Sequence, residues 1–226
     1  SWYVGTPAGR IPAEILENEE LNAAIRAGLP WTHNFEVHKS VHRLRRDKAR
    51  HVGVHLPDGL CQWATVLADI FMRFVPSVET STILGDMTFG ACCIDDLGAR
   101  AVGVDFLIHY GHSCIVPTDQ TTVQTLYVHV EVDVDVEHLV ETVRLNFRPE
   151  QKLVFMGSVQ FTGGTMQAVE TLNKEFFADN KVGTVSQVKP LGLGEVLGCT
   201  SPIVRGADAV VFVCDGRFHL ESAMIQ

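Results

Sequence analysis

The stretch GDMTFGACCIDDLGARAVGVDFLIHYGHSCIVPTD, residues 85–119, decides the fold. It reads as a strand end, a loop of glycine and cysteine, a short helix, a buried strand over VDFLIHY and a second polar loop. It carries three of the chain's six cysteines, Cys92, Cys93 and Cys114, and two of its ten histidines, His109 and His112. Reactive side chains gathered at strand ends are what an α/β enzyme presents at its site.

Working outward, HVGVHL from His51 is strand-like and Pro57-Asp58-Gly59 breaks it. LCQWATVLADIFMRF then repeats at helical spacing up to Pro76, and strand TSTIL follows. Downstream come strand TLYVHVEV, helix DVEHLVETVRLNF, strand KLVFMGSVQF, helix GTMQAVETLNKEFFAD and strand VGTVSQV. After these the glycine-rich loop KPLGLGEVLGCTS leads to strand ADAVVFVCDG and a last helical start at Leu220. Strands alternating with helices of this length imply βαβ units and a parallel sheet, so the fold class is α/β. Ahead of the core, Pro12 opens a helical pattern, PAEILENEELNAAIRAG, that Gly28-Leu29-Pro30 ends. Residues 1–50 read as an N-terminal arm with helices, 51–133 as a first α/β domain and 134–226 as a second.

Composition bounds the function. The chain has 226 residues, 46% apolar and 20% charged, and a formal net charge of −9. That charge argues against bulk nucleic-acid binding, which needs clustered Lys and Arg. The one basic run, HKSVHRLRRDKARH from His38 to His51, is a solvated helix face or a docking patch for an acidic or RNA-bearing partner. The longest apolar runs are strand-length, such as Ala209 to Cys214, so no membrane span is expected. The opening SWYVGTPAGR shows no secretory signal. Six cysteines outside any framework spacing read as reduced thiols in a cytoplasmic protein. No CxxC pair is present, so a metal site must draw its cysteines from distant segments. Gly192 and Gly194 begin no complete dinucleotide fingerprint.

The two halves overlay. HVGVHLPDG matches KLVFMGSVQF, and each is followed by a helix, a second strand and a small-residue loop ending in cysteine, FGAC at Cys92 and LGC at Cys199. Next come Gly103-Val104-Asp105 and Gly206-Ala207-Asp208, each leading into an apolar strand, FLI and AVV. Those strands end in glycine-bearing polar loops, HYGHS and CDGRFH. The period is that of a duplicated domain, with a boundary near Asp133. Cys92 and Cys199 thus occupy equivalent loops. Two thiolates make an incomplete site, since iron–sulfur clusters and zinc take three or four ligands. A third repeat is expected to begin where the sequence stops at Gln226.

Three blocks in order, GDMTFGACCIDDLGARAVGVDFLIHYGHSC, LGEVLGCTSP and DGRFHLESAMI, closely resemble the diphthamide-synthesis family in its eukaryotic catalytic-subunit branch. The likeness runs from Ile11 to the C-terminus. It implies transfer of the 3-amino-3-carboxypropyl group from S-adenosylmethionine to a histidine of translation elongation factor two, the first step of diphthamide formation. It further implies a 4Fe–4S cluster and radical chemistry, a paralogous subunit in a heterodimer, and an electron-donating reductase. Cys92 and Cys199 fall on two of three cluster positions, and the third belongs to a third domain that this chain lacks. Cys199 favours the catalytic branch over its non-catalytic paralogue. Candidates to hold the carboxylate and amine of S-adenosylmethionine are Gln160, His112, Asp215, Arg217 and His219. The alternatives are a non-catalytic partner-binding subunit of the same complex and another three-domain iron–sulfur enzyme of quinolinate-synthase type.

The remaining polar residues have plainer readings. Cys93 and Cys114 are supporting residues, Cys61 and Cys214 small core residues, and His109 a hydrogen-bonded core histidine. Asp95 and Asp96 suit a helix's first turn. Asp105 and Asp208 cap or brace their loops.

Overall fold

The computed structural model describes residues 11–85, 93–111, 116–177, 183–184, 187 and 191–226, so Cys92, His112 and Cys114 lie outside the described residues. The chain divides into two compact units, Ser1–Val128 and His129–Gln226.

In unit one the segment expected as a single helix from Pro12 is two, a turn over Ala13–Leu16 and then α1, Glu19–Gly28. The Asn18 side chain accepts a hydrogen bond from the Leu21 amide at 2.8 Å. That cap restarts the helix even though the apolar spacing runs across it. The basic run forms α2, Val37–Asp47, with Val37, Ser40, Val41 and Leu44 buried. Its charges are answered locally. Arg43 and Arg46 each pair with Asp47 at 2.7 Å, and Lys39 pairs with Glu36 at 2.6 Å. Arg45 donates to the Phe74 carbonyl at 2.9 and 2.7 Å.

The sheet of unit one comprises β1 His51–His55, β2 Thr80–Leu84, β3 Phe106–Tyr110 and β4 Gln124–Val128. Its order is β2-β1-β3-β4 and every pairing is parallel. β1 is buried from Val52 onward and β3 throughout, the pattern of central parallel strands covered on both faces. Between β1 and β2 the chain makes a 3₁₀ turn, Asp58–Trp63, before the expected helix, α3, Ala64–Phe74. α3 packs its Leu67, Ile70 and Phe71 side against β1 and β2. The short α4, Asp96–Ala101, precedes β3 and is capped by Asp95, whose Oδ1 accepts from the Gly98 amide at 2.8 Å. Asp96 ties the helix to the chain entering β4, accepting from the Thr122 amide at 2.6 Å.

Unit two contains α5 Val136–Asn146, β5 Leu153–Gly157, α6 Thr162–Glu175, β6 Gly183–Thr184, β7 Ala209–Val213 and α7 Phe218–Ile225. Its sheet runs β6-β5-β7, again parallel. Val140 and Val143 of α5, Leu153 and Phe155 of β5, and Ala168, Val169 and Leu172 of α6 form its buried core with Phe177. The first strand of each unit is therefore flanked by the second and the third.

The same brace recurs in both units. Gly103 and Gly206 have φ of +87° and +72°, a conformation open to glycine and strained for other residues. The aspartate two residues on reaches back to the start of the first strand. The Asp105 carboxylate accepts from the amides of Arg50 and His51 at 3.1 Å, and Asp208 Oδ2 accepts from the Lys152 amide at 2.7 Å. Both aspartates brace their loops, as their place in the repeat suggested.

Candidate functional site

Each parallel sheet presents a C-terminal edge, the usual ligand-binding edge of such a fold. In unit two, β5 ends at Gly157, whose amide donates to the Gly194 carbonyl at 3.0 Å and whose carbonyl accepts from the Val196 amide at 2.9 Å. The loop from Leu191 to Cys199 is thereby laid along the strand end. Glu195 closes the preceding turn. It is 3% exposed, and its Oε2 accepts from the Gly192 amide at 2.7 Å. Leu197 and Thr200 then exchange backbone hydrogen bonds at 2.9 and 3.3 Å and turn Cys199 outward. The Cys199 thiol is exposed, and Thr200 Oγ1 donates to its Sγ at 3.7 Å.

Three of the expected cofactor residues meet at this edge. Gln160 follows β5 and its Nε2 donates to Asp215 Oδ2, after β7, at 3.3 Å. His219, in the first turn of α7, is held below the ordinary histidine range by burial, and the carboxylates of Asp215 and Glu195 oppose that shift. Arg217 does not join them. Its side chain is 87% exposed and lies 3.4 Å from Glu221 on its own helix. α7 also packs on the cysteine loop, since a Cβ on Gly198 would meet the Phe218 ring and Ala223 packs against the buried cluster of Met156 and Val196. The hydroxyl of Ser158, a fully buried residue, has no partner among the described residues.

Unit one has its own polar centre. His55, the last residue of β1, stands beside His109 of β3 in register. The two Nδ1 atoms are 2.9 Å apart and the rings are 1% and 0% exposed. His109 is thus the hydrogen-bonded core histidine its strand implied. His55 carries no sequence signal beyond closing a strand, and neither it nor Glu195 stands out before the fold is known. Burial holds His55 below the usual imidazole range, with Asp95 pulling the other way. His55 Nε2 is enclosed without a partner among the described residues, a state that costs about 1–3 kcal/mol.

Neither Cys61 nor Cys214 is a core residue, for both are half-buried. Cys61 Sγ donates to the Leu56 carbonyl at 3.6 Å, and burial pushes its thiol upward. Among the described residues no group of three or more His, Cys, Asp or Glu is placed to hold a metal ion. Cys92 and His112 lie outside the described residues, so of the two expected cluster ligands the geometry concerns Cys199. An exposed thiol at the tip of a braced strand-end loop suits one ligand of an iron–sulfur cluster.

The chain is similar to known proteins in sequence and in fold. The family described as "Putative diphthamide synthesis protein" matches residues 56–226. The zebrafish (Danio rerio) protein named 2-(3-amino-3-carboxypropyl)histidine synthase subunit 1 is 44% identical over 220 residues, covering 96% of this chain and 56% of its own length. Its namesake in Schizosaccharomyces pombe is 44% identical over 226 residues, covering 98% and 51% respectively. The chain thus spans about half the length of these relatives. Dph2 from Pyrococcus horikoshii superposes with a TM-score of 0.69 at 28% identity, over 82% of this chain and 53% of that one. The structure of that protein with a 4Fe–4S cluster superposes with the same TM-score at 26% identity, over 82% of this chain and 54% of that one.

Proposed function

The chain belongs to the diphthamide synthesis family, and from that premise we propose that it forms part of the catalytic subunit for the first step of diphthamide biosynthesis. In this reading the 3-amino-3-carboxypropyl group passes from S-adenosylmethionine to a histidine of translation elongation factor two. The work is done in the cytoplasm, with a paralogous subunit as heterodimer partner and a reductase as electron donor. The relatives' name, 2-(3-amino-3-carboxypropyl)histidine synthase subunit 1, supports the group transferred, its acceptor and the presence of another subunit.

Cys92 and Cys199 are the proposed ligands from this chain to a 4Fe–4S cluster, and a third domain would supply another. Support comes from the cluster-bearing structural neighbour and from the matching Gly-x-Asp braces and strand orders of the two units. A pair of duplicated domains would give the two cysteines equivalent loops. The cluster, when bound, supplies the single electron that starts radical cleavage of S-adenosylmethionine.

The observation that carries the reading is the gathering of Gln160, Asp215 and His219 beside the Cys199 loop. The Asp215 carboxylate suits an ammonium group, and Gln160, donating to it, fixes its rotamer. The His219 imidazole, kept neutral by burial, can offer a nitrogen to a polar substrate atom without bringing a second charge. Arg217, exposed on the same turn, is free to reorient toward a carboxylate or a protein surface at the cost of a weak surface pair. His112 is proposed for the same ligand set from its place in the sequence just after the third strand of unit one.

Anaerobic reconstitution with iron and sulfide tests the reading. The chain, extended to the length of its relatives, should take up iron and the visible absorbance of a cluster. Cys199→Ala and Cys92→Ala should each reduce both. Undiminished iron in either variant would show that the ligand assignment is wrong.

A further inference from the structure

The turn ahead of Cys199 is built around a charge that the proposed function leaves unused. Glu195 is 3% exposed. Its amide donates to the Gly192 carbonyl at 3.3 Å and its Oε2 accepts from the Gly192 amide at 2.7 Å, so one residue closes the turn from both sides. The same residue pairs with Gly157, the last of β5, in a parallel bridge, and the next amide, that of Val196, donates to the Gly157 carbonyl. The backbone of Glu195 is therefore fixed to the end of the sheet. The amide oxygen of a glutamine would accept the Gly192 hydrogen bond as well. What glutamate adds is a negative charge held inside the protein, where burial disfavours it. That charge reaches the candidate site, since it acts on His219 together with the charge of Asp215.

We infer that Glu195 tunes the cluster proposed at Cys199, its buried charge holding the reduction potential low. The inference rests on that proposed cluster. Adding an electron costs more beside a fixed negative charge, and charge and burial are among the factors that set such potentials. Distance and screening decide whether the effect matters. Cys199 follows Glu195 by four positions, so their Cα atoms lie at most about 14 Å apart. At an effective dielectric constant of about 20, a unit charge at that range shifts a one-electron equilibrium about five- to tenfold. In bulk water the same charge would shift it less than about twofold. The burial of Glu195 places it in the first case. Fields add, so removing this charge has the same effect whatever else the carboxylate meets. A low potential suits the proposed chemistry, because a sulfonium accepts an electron only from a strong reductant, and the reductase already named supplies that electron.

The test is a redox titration, followed by visible absorbance, of the chain extended to the length of its relatives and loaded with iron and sulfide. Glu195→Gln keeps the hydrogen bond to Gly192 and loses the charge. It should take up undiminished iron and be reduced about five- to tenfold more readily, an upward shift of about 40–60 mV for one electron. Glu195→Asp, which keeps a charge, should stay nearer the wild-type potential. If the glutamine variant does not fold, Glu195→Met, neutral and of similar size, takes its place with the same expectation. A role confined to closing the turn would leave the potential where it was. That result, or a downward shift, overturns this inference and leaves the proposed function standing. Neutral variants that take up no iron assign Glu195 to building the loop and overturn it too. A wild-type chain that takes up no cluster overturns both.

Discussion

At the scale of single residues, charge and burial pull against each other, and histidine shows the outcome most clearly. His33, His38, His55 and His219 are each held below the ordinary imidazole range by burial. The unfolded chain titrates near pH 6.5, so below that value it binds more protons than the folded chain. Stability is therefore fully present above about pH 6.5 and is lost as pH falls through the depressed folded values. Thermal midpoints measured from pH 7.5 down to pH 5.5 should fall, and His55→Gln should flatten part of that slope. A midpoint that rises on acidification would contradict it. Asp105 makes the second residue-scale case. Its carboxylate accepts from two backbone amides at the entry to β1. Asp105→Ala should cost about 1–2 kcal/mol in urea unfolding, with the exposed setting keeping the loss below that of a buried charged bond. Asp105→Asn should retain part of it.

At the scale of elements, the sequence pattern located the strands and missed two helix starts for local reasons. Apolar spacing from Ile15 to Ile25 is continuous, and the Asn18 cap that divides it is a side-chain hydrogen bond, which periodicity does not register. Asn18→Ala should lower stability by about 1 kcal/mol, and a circular dichroism melt would show it. Likewise the chain after Pro57 tightens into a 3₁₀ turn before α3, because Asp58 and Gly59 favour turns over helix. The Gly-x-Asp brace, by contrast, was legible as a repeat. Its mechanism required coordinates: φ of +87° and +72° at the two glycines, and the reach of each aspartate to the first strand. Gly206→Ala should cost about 1–2 kcal/mol for a side chain in the left-handed region, read from the denaturation midpoint. An unchanged midpoint would show that the turn relaxes freely.

At the scale of the whole chain, each of the two units has its own parallel sheet, and unit two has a distinct core formed by α5, β5 and α6. Fragments divided between Val128 and His129 should therefore each unfold cooperatively, as followed by far-ultraviolet dichroism in urea. A fragment with no sigmoidal transition would show that its core is incomplete.

The amino-acid sequence by itself determined the α/β class, the succession of the main strands along the chain and the family. These are properties of period, turn chemistry and motif order, which are written along the chain. Tertiary structure decided what meets what. It brought Gln160 to Asp215 across 55 positions and kept Arg217 on its own helix. It half-exposed the two cysteines expected in the core, buried Glu195 within the cysteine loop and set His55 against His109. Such contacts depend on register between strands far apart in sequence. A single-residue slip turns a side chain to the opposite face, and no local pattern fixes that pairing.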